Sequence, residues 1–301
     1  MPNLIDFRRR IRSVKNTQQI TRAMKFVAAA RLRRAQERVL ASRPYARQIL
    51  RVLQSAEGRL ESAVHPLLEV RPEQKLLAIV ISADRGLCGA FNTNVLRKTS
   101  EFLRQNASKK IELVAVGKRA RDSLRRTRLP LKAEMIGATM NVKYEDAKEL
   151  AEMAISAYTS EETDAVYLIY NEFRNVLVQR MVVNRLLPVP AETVAAPRGE
   201  AGAGAADAHA PAAAARVDYI YEQPPQEIFD HLVPRYVETE VFRALLESSA
   251  AEHAARMTAM DAATKNASDL IDSLTLHMNK VRQAAITKEI IEVVSGAASA
   301  G

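Results

Sequence analysis

Residues 3–43, NLIDFRRRIRSVKNTQQITRAMKFVAAARLRRAQERVLASR, contain neither glycine nor proline. Read in alternating steps of three and four, one register takes Leu4, Phe7, Ile11, Val14, Gln18, Thr21, Lys25, Ala28, Leu32, Ala35, Val39 and Ser42. It continues through Ala46, Ile49, Leu53 and Ala56, and twelve of these sixteen positions are apolar. That repeat is the signature of a helix packed along one side by another helix, and it lasts far longer than an ordinary surface helix needs. Pro44 falls inside the run and predicts a kink or a join there. Gln18, Thr21 and Lys25 interrupt the seam with three polar positions in succession, which a uniform coiled coil does not use.

The other end of the chain repeats the pattern. Residues 235–295 are 61 residues without glycine or proline, and the register Met257, Met260, Thr264, Ala267, Ile271, Leu274, Met278, Val281 and Ala285 is apolar at eight of nine places. Pro234 and Gly296 read as the start and stop of this helix. At 1.5 Å per residue it would be ~90 Å long, so much of it must project from any small domain. Its natural partner is the N-terminal helix, wound against it in antiparallel fashion. The alanines of both seams let the axes approach closely.

The middle reads differently. Lys75–Ala83 (KLLAIVISA) is a continuous apolar run, as expected of a buried parallel strand. A helix follows over about 92–105, a strand at Ile111–Val116, a short helix at Lys118–Arg126 and an amphipathic helix at Tyr144–Tyr158. Strands are expected at Ala165–Tyr170 and Val176–Leu187, with a last one at Asp218–Tyr221. Such alternation implies a compact βαβ-type unit. Residues 195–216 are mostly Ala with Gly and Pro, and read as a flexible low-complexity insertion. The expected fold class is therefore α/β: a long antiparallel two-helix coiled coil from the N- and C-termini plus a central Rossmann-like domain. The units are 1–56 (N-terminal coiled-coil helix), 75–222 (central α/β domain) and 226–301 (C-terminal coiled-coil helix).

Charge is unevenly placed. The 301 residues carry a net +9, but residues 1–56 hold 14 Lys and Arg against only Asp6 and Glu37, a net of +12. The remaining 30 bases and 33 acids nearly balance. So basic a segment needs an acidic partner: nucleic acid, anionic lipid or an acidic protein surface. A single cysteine, Cys88, excludes an internal disulfide and a cysteine-based zinc cage. No run of ~18 apolar residues reads as a membrane span. No secretory h-region follows Arg8, Arg9 and Arg10, so a cytoplasmic location is expected.

Sites of chemistry are scarce. The turn after the first expected strand, Ser82–Asn92 (SADRGLCGAFN), has Gly86 and Gly89, but not at the spacing of a dinucleotide fingerprint. No P-loop pattern occurs anywhere. Asp84 beside Arg85 reads as a capped, salt-bridged turn before it reads as a catalytic pair. His65, His209, His231, His253 and His277 are too scattered to hold a metal. Cys88 has no neighbouring base and reads as a small buried side chain.

Four stretches resemble one family. Arg10–Gln36 (RIRSVKNTQQITRAMKFVAAARLRRAQ) resembles the N-terminal helix of the gamma subunits of rotary F-type ATP synthases. Ser82–Asn92 resembles the first strand-turn of their central domain. Ala255–Asp272 (ARMTAMDAATKNASDLID) and Arg282–Ala298 (RQAAITKEIIEVVSGAA) resemble their C-terminal helix and terminal signature. The four occur in the expected order and cover both ends and the centre. The resemblance implies a central rotor shaft in a bacterial enzyme, coupling proton flow to ATP synthesis and the reverse. Its coiled coil would enter a ring of three alpha and three beta subunits. Its α/β domain would form a foot with the epsilon subunit on the c-ring, at the cytoplasmic face of the inner membrane. Such a chain is peripheral and has no catalytic residues, cofactor, metal or nucleic-acid partner of its own. Motif alignment places Arg282, Gln283 and Thr287 against the catch loops of the beta subunits, and Met24 and Lys25 at the bearing. Photosynthetic members carry a redox insertion with a cysteine pair. Here Cys88 stands alone, and the stretch 195–216 is longer than in many bacterial relatives.

Two other readings compete on the residues. A basic coiled coil with an α/β head could bind nucleic acid, although no helix-turn-helix pattern surrounds it. An α/β enzyme with an accessory hairpin would need a phosphate or cofactor motif.

Overall fold

The computed structural model of the chain describes residues 4–57, 65–127, 129–190 and 224–299. Two helices dominate: α1, Leu4–Glu57, and α5, Pro225–Ser299. Between them lie β1 (Lys75–Ile81), α2 (Phe91–Gln105), β2 (Lys110–Val116), α3 (Lys118–Leu124), β3 (Leu131–Met135), α4 (Tyr144–Thr159), β4 (Ala165–Phe173) and β5 (Gln179–Leu187).

All sixteen positions of the N-terminal register are buried or half-buried, including the four polar ones. The helix runs through Pro44 without a break in assignment. Pro44 removes the donor for the carbonyl of Leu40, but both residues are exposed, so water can satisfy that carbonyl. The expected ends of the second helix are corrected: α5 begins at Pro225, contains Pro234 and passes Gly296. Packing against α1 and the sheet outweighs the local cost of a proline.

The two long helices are antiparallel. The rings of Phe7 and His277 lie 5.2 Å apart. The hydroxyl oxygens of Thr21 and Thr264 are 2.9 Å apart, and Lys25 Nζ is 2.6 Å from Asp261 Oδ1. Each advance along α1 is thus matched by an equal retreat along α5.

The sheet has the order β3-β2-β1-β4-β5, parallel except for β5, which pairs antiparallel with β4. β1 is central and buried on both faces, as its unbroken apolar run requires. Leu77, Ile79 and Ile81 share a core with α4, the lower half of α1 and the first half of α5. Leu76, Ala78 and Val80 face α2 and α3 on the other side. Within the larger core, Leu53, Phe229, Val237, Val241 and Leu245 are fully buried. This is how the helix pair is rooted in the α/β unit. The edge strand β3 was not expected from sequence: its five residues alternate half-buried and exposed and carry two charges. The expected strand at Asp218–Tyr221 and the insertion 195–216 lie outside the described residues.

Candidate functional site

In open α/β sheets ligands bind beyond the carboxyl ends of the strands, where the strand order reverses. Here the order reverses between β1 and β4, beside the turn Ser82–Ala90. That crevice is filled by the chain itself. Ala83, Cys88 and Phe91 pack on Ala251 of α5, with Ala255 and Phe173 against them. Arg256 donates from Nη2 to the carbonyl of Gly86 at 3.2 Å and from Nη1 to Glu252 Oε1 at 2.7 Å. The long C-terminal helix occupies the place a ligand would take.

The turn is built to be rigid. Asp84 does not pair with Arg85, which corrects the expected salt-bridged turn. Its Oδ1 accepts from the backbone N–H groups of Lys118 (3.0 Å) and Gly137 (3.1 Å), and its Oδ2 from the Thr139 hydroxyl (3.1 Å). The carboxylate therefore ties together the ends of three strands. Ser82 Oγ accepts from the N–H of Ala120 at 2.7 Å. Gly117 makes this approach possible: it has φ +91°, and a Cβ there would stand 2.2 Å from the Ser82 carbonyl oxygen. Cys88 is buried as expected, and burial raises its thiol pKa, so it is a packing residue rather than a nucleophile.

Further along the helix pair, the polar break in the seam is closed between the two helices. Thr21 meets Thr264 and Lys25 meets Asp261. Met24 and Lys25 are half-buried beside this zip.

The tip is different. Val281 is half-buried, and every residue from Arg282 to Ser295 is exposed. Ala285, expected in the seam, is exposed. Ile286, Ile290, Ile291, Val293 and Val294 are each 48–71% exposed. Five large apolar side chains on one bare helix end need a cover. Arg282, Gln283 and Thr287 lie at the base of this tip, and the Thr287 hydroxyl donates to the Gln283 carbonyl at 2.9 Å. The structure does not bring them together with Met24 and Lys25. Asp261, the partner of Lys25, is 21 residues before Arg282, a distance of ~30 Å along the helix.

Among the described residues, no group of three or more His, Cys, Asp and Glu side chains could hold a metal ion, and no helix is long and apolar enough to cross a membrane.

The family model described as ATP synthase matches residues 3–300. The chain is 50% identical over 304 residues to the ATP synthase gamma chain of Solibacter usitatus, covering 100% of both. It is 48% identical over 299 residues to the gamma chain of Pelotomaculum thermopropionicum, covering 99% of both. Among solved structures, it resembles a chain of the Euglena gracilis mitochondrial ATP synthase rotor, with TM-score 0.62 and 18% identity over 94% of this chain and 98% of that one. It also resembles a chain of the central stalk and c-ring of the Tetrahymena thermophila enzyme, with TM-score 0.57 and 23% identity over 81% of this chain and 99% of that one. At these identities the structural likeness speaks for the fold.

Proposed function

The chain belongs to the ATP synthase gamma-chain family, and from that premise we propose that it is the rotating central shaft of a bacterial F-type ATP synthase, itself without catalytic residues. The observation that carries this reading is the bare tip of α5. A helix end with five exposed Ile and Val side chains, standing clear of its partner helix, suits an apolar sleeve. A ring of three alpha and three beta subunits would supply it. The foot would be the α/β domain, docked with the epsilon subunit on the c-ring at the cytoplasmic face of the inner membrane.

The physical requirements of a shaft are met. It must be stiff, and two long helices in register are stiff. It must be rooted in the part that is turned. The clamp of Arg256 on Gly86 and the shared core of α1, α5 and the sheet do that. It must also present different faces to three identical subunits, and a pair of unlike helices, one carrying a net +12 over residues 1–56, does that. The excess positive charge of residues 1–56 attracts acidic loops of a surrounding ring and speeds their engagement. Arg282, Gln283 and Thr287 are exposed and would meet the beta catch loops, with Met24 and Lys25 at the bearing about 30 Å below. The test is co-expression with the alpha and beta subunits. Co-purification in a 3:3:1 ratio supports the reading, and a ring that assembles without ever retaining this chain contradicts it.

A further inference from the structure

Where α5 crosses the face of the sheet, three of its side chains form one cluster. Arg243 Nη2 lies 2.9 Å from Glu240 Oε2, and its Nε lies 3.9 Å from Glu247 Oε1. The two carboxyl groups are nearly enclosed, with 11% and 13% of their side chains exposed. Arg243 Nε and Glu247 Oε2 are buried with no hydrogen-bond partner among the described residues.

Other elements complete the surroundings. β4 contributes Tyr170 and Glu172, the latter held by Arg174 at 3.0 Å. α1 contributes Arg43 and Arg47, and α5 adds Tyr236. Arg185 of β5 also lines the cleft, with its Nη2 3.4 Å from Glu73. This cleft, about 350 Å³ in volume, runs between α1, β5 and α5 and brings solvent to Glu240 and Arg243.

One guanidinium inside the cluster cannot neutralise two enclosed carboxylates, with Glu172 close by. Burial, with Glu172 and Glu240 adding to it, pushes Glu247 up to about 7 against the pull of Arg243 and Arg43. Burial raises Glu240 as well. We propose that Glu247 is a proton-binding group of the joint between the helix pair and the sheet, and that α5 is held more firmly against β4 when it carries the proton. A carboxylate oxygen of Glu247, whose side chain keeps 13% of its surface exposed, accepts one proton from solvent. Repulsion from Glu240 and Glu172 then falls, and Arg243 is left to Glu240 alone. On losing the proton the joint loosens. The consequence for rotation rests on the shaft reading above, but the titration does not, so the two fail separately.

The test uses the full chain with carbon-13 at the glutamate carboxyl carbons. One resonance should titrate near pH 7 and vanish in Glu247→Gln. If every glutamate titrates close to its ordinary value of 4.5, the proposal is overturned. Should Glu247→Gln fail to fold, Glu240→Gln decides: it should move the near-neutral midpoint down, and an unmoved midpoint places that proton elsewhere. Hydrogen exchange then reads the joint. Opening of the 240–250 amides, corrected for intrinsic rate, should rise with pH up to about tenfold more per unit in the parent than in Glu247→Gln. Equal slopes in the two proteins would overturn the mechanical half of the proposal.

Discussion

The hydroxyl oxygens of Thr21 and Thr264 lie 2.9 Å apart, one from each long helix, at the centre of the polar break in an otherwise apolar seam. Each also lies within reach of a carbonyl of its own helix, Thr21 of Gln18 and Thr264 of Met260, so one hydroxyl donates to its carbonyl while the other donates across the pair. The break is therefore a matched pair, and it pins the register of the two helices. Thr21→Val alone removes the bond between the helices, while Thr264 keeps the Met260 carbonyl, and should cost about 0.5–1.5 kcal/mol in denaturant unfolding. Thr21→Val with Thr264→Val should recover most of that loss. A double variant as unstable as the sum of the two singles would show that the pair is not coupled.

Lys25 and Asp261 form an exposed pair, with 37% and 63% of their side chains accessible. Asp261→Asn should change stability by less than about 1 kcal/mol. Lys25→Glu should also leave the chain folded, yet lower ATP-driven proton pumping of the assembled enzyme if Lys25 faces the bearing. Unchanged pumping would remove Lys25 from that role.

Much of this was legible in the sequence, and the failures have a common cause. Heptad spacing alone found both long helices and their seam, and apolar runs alone found β1 and β2. What sequence could not supply was anything that depends on a partner far along the chain. Asp84 looked like half of a local pair with Arg85, but its partners are Lys118, Gly137 and Thr139. Thr21 and Lys25 looked like defects until Thr264 and Asp261 met them. β3 went unseen because a five-residue edge strand with two charges has no apolar signature. Pro44 read as a kink or a join, and Pro234 and Gly296 as helix ends, but each lies inside a helix, the two prolines where tertiary packing holds it. For Met24, Lys25, Arg282, Gln283 and Thr287 the signal was the resemblance, and no spacing rule would have singled them out.

Gly117→Ala should be among the most damaging small changes in the α/β domain. The new methyl would meet the Ser82 carbonyl at 2.2 Å in a backbone conformation that disfavours a side chain. A loss of about 1–3 kcal/mol or more is expected from strain of this kind, read as a lowered melting temperature. Gly137→Ala is the control: it shares the positive φ but meets nothing within 4 Å, so it should cost less.

His253 gives a pH dependence opposite to that of Glu247. Burial, reinforced by Arg256 and Arg31, lowers its pKa to about 4 from 6.5. Between these values the unfolded chain binds the proton and the folded chain does not. Stability from this group is therefore complete above about 6.5 and is lost as pH falls toward about 4. The full difference is roughly 3 kcal/mol. His253→Gln should flatten the acid limb of an unfolding curve taken against pH. An acid limb as steep as the parent's would mean that His253 is not held neutral.

Arg282→Glu and Gln283→Leu test the tip. Both residues are exposed and neither is packed against α1, so the chain should fold and assemble. An exposed arginine–carboxylate contact is worth on the order of 1 kcal/mol, weak enough to be broken at each step. Charge reversal at Arg282 should therefore lower ATP-driven proton pumping without loss of assembly. Variants that pump like the parent would move the contact elsewhere on the shaft.

The most direct measurement watches the shaft turn. The chain is assembled with alpha and beta subunits, the ring is fixed to a surface, and a bead is attached to the exposed end of the foot through a cysteine replacing Lys110. With ATP, the bead should rotate in one direction with three pauses per turn, one for each beta subunit. A ring that hydrolyses ATP at its normal rate while the bead stays still, or wanders without direction, would contradict the assignment of this chain as the rotor.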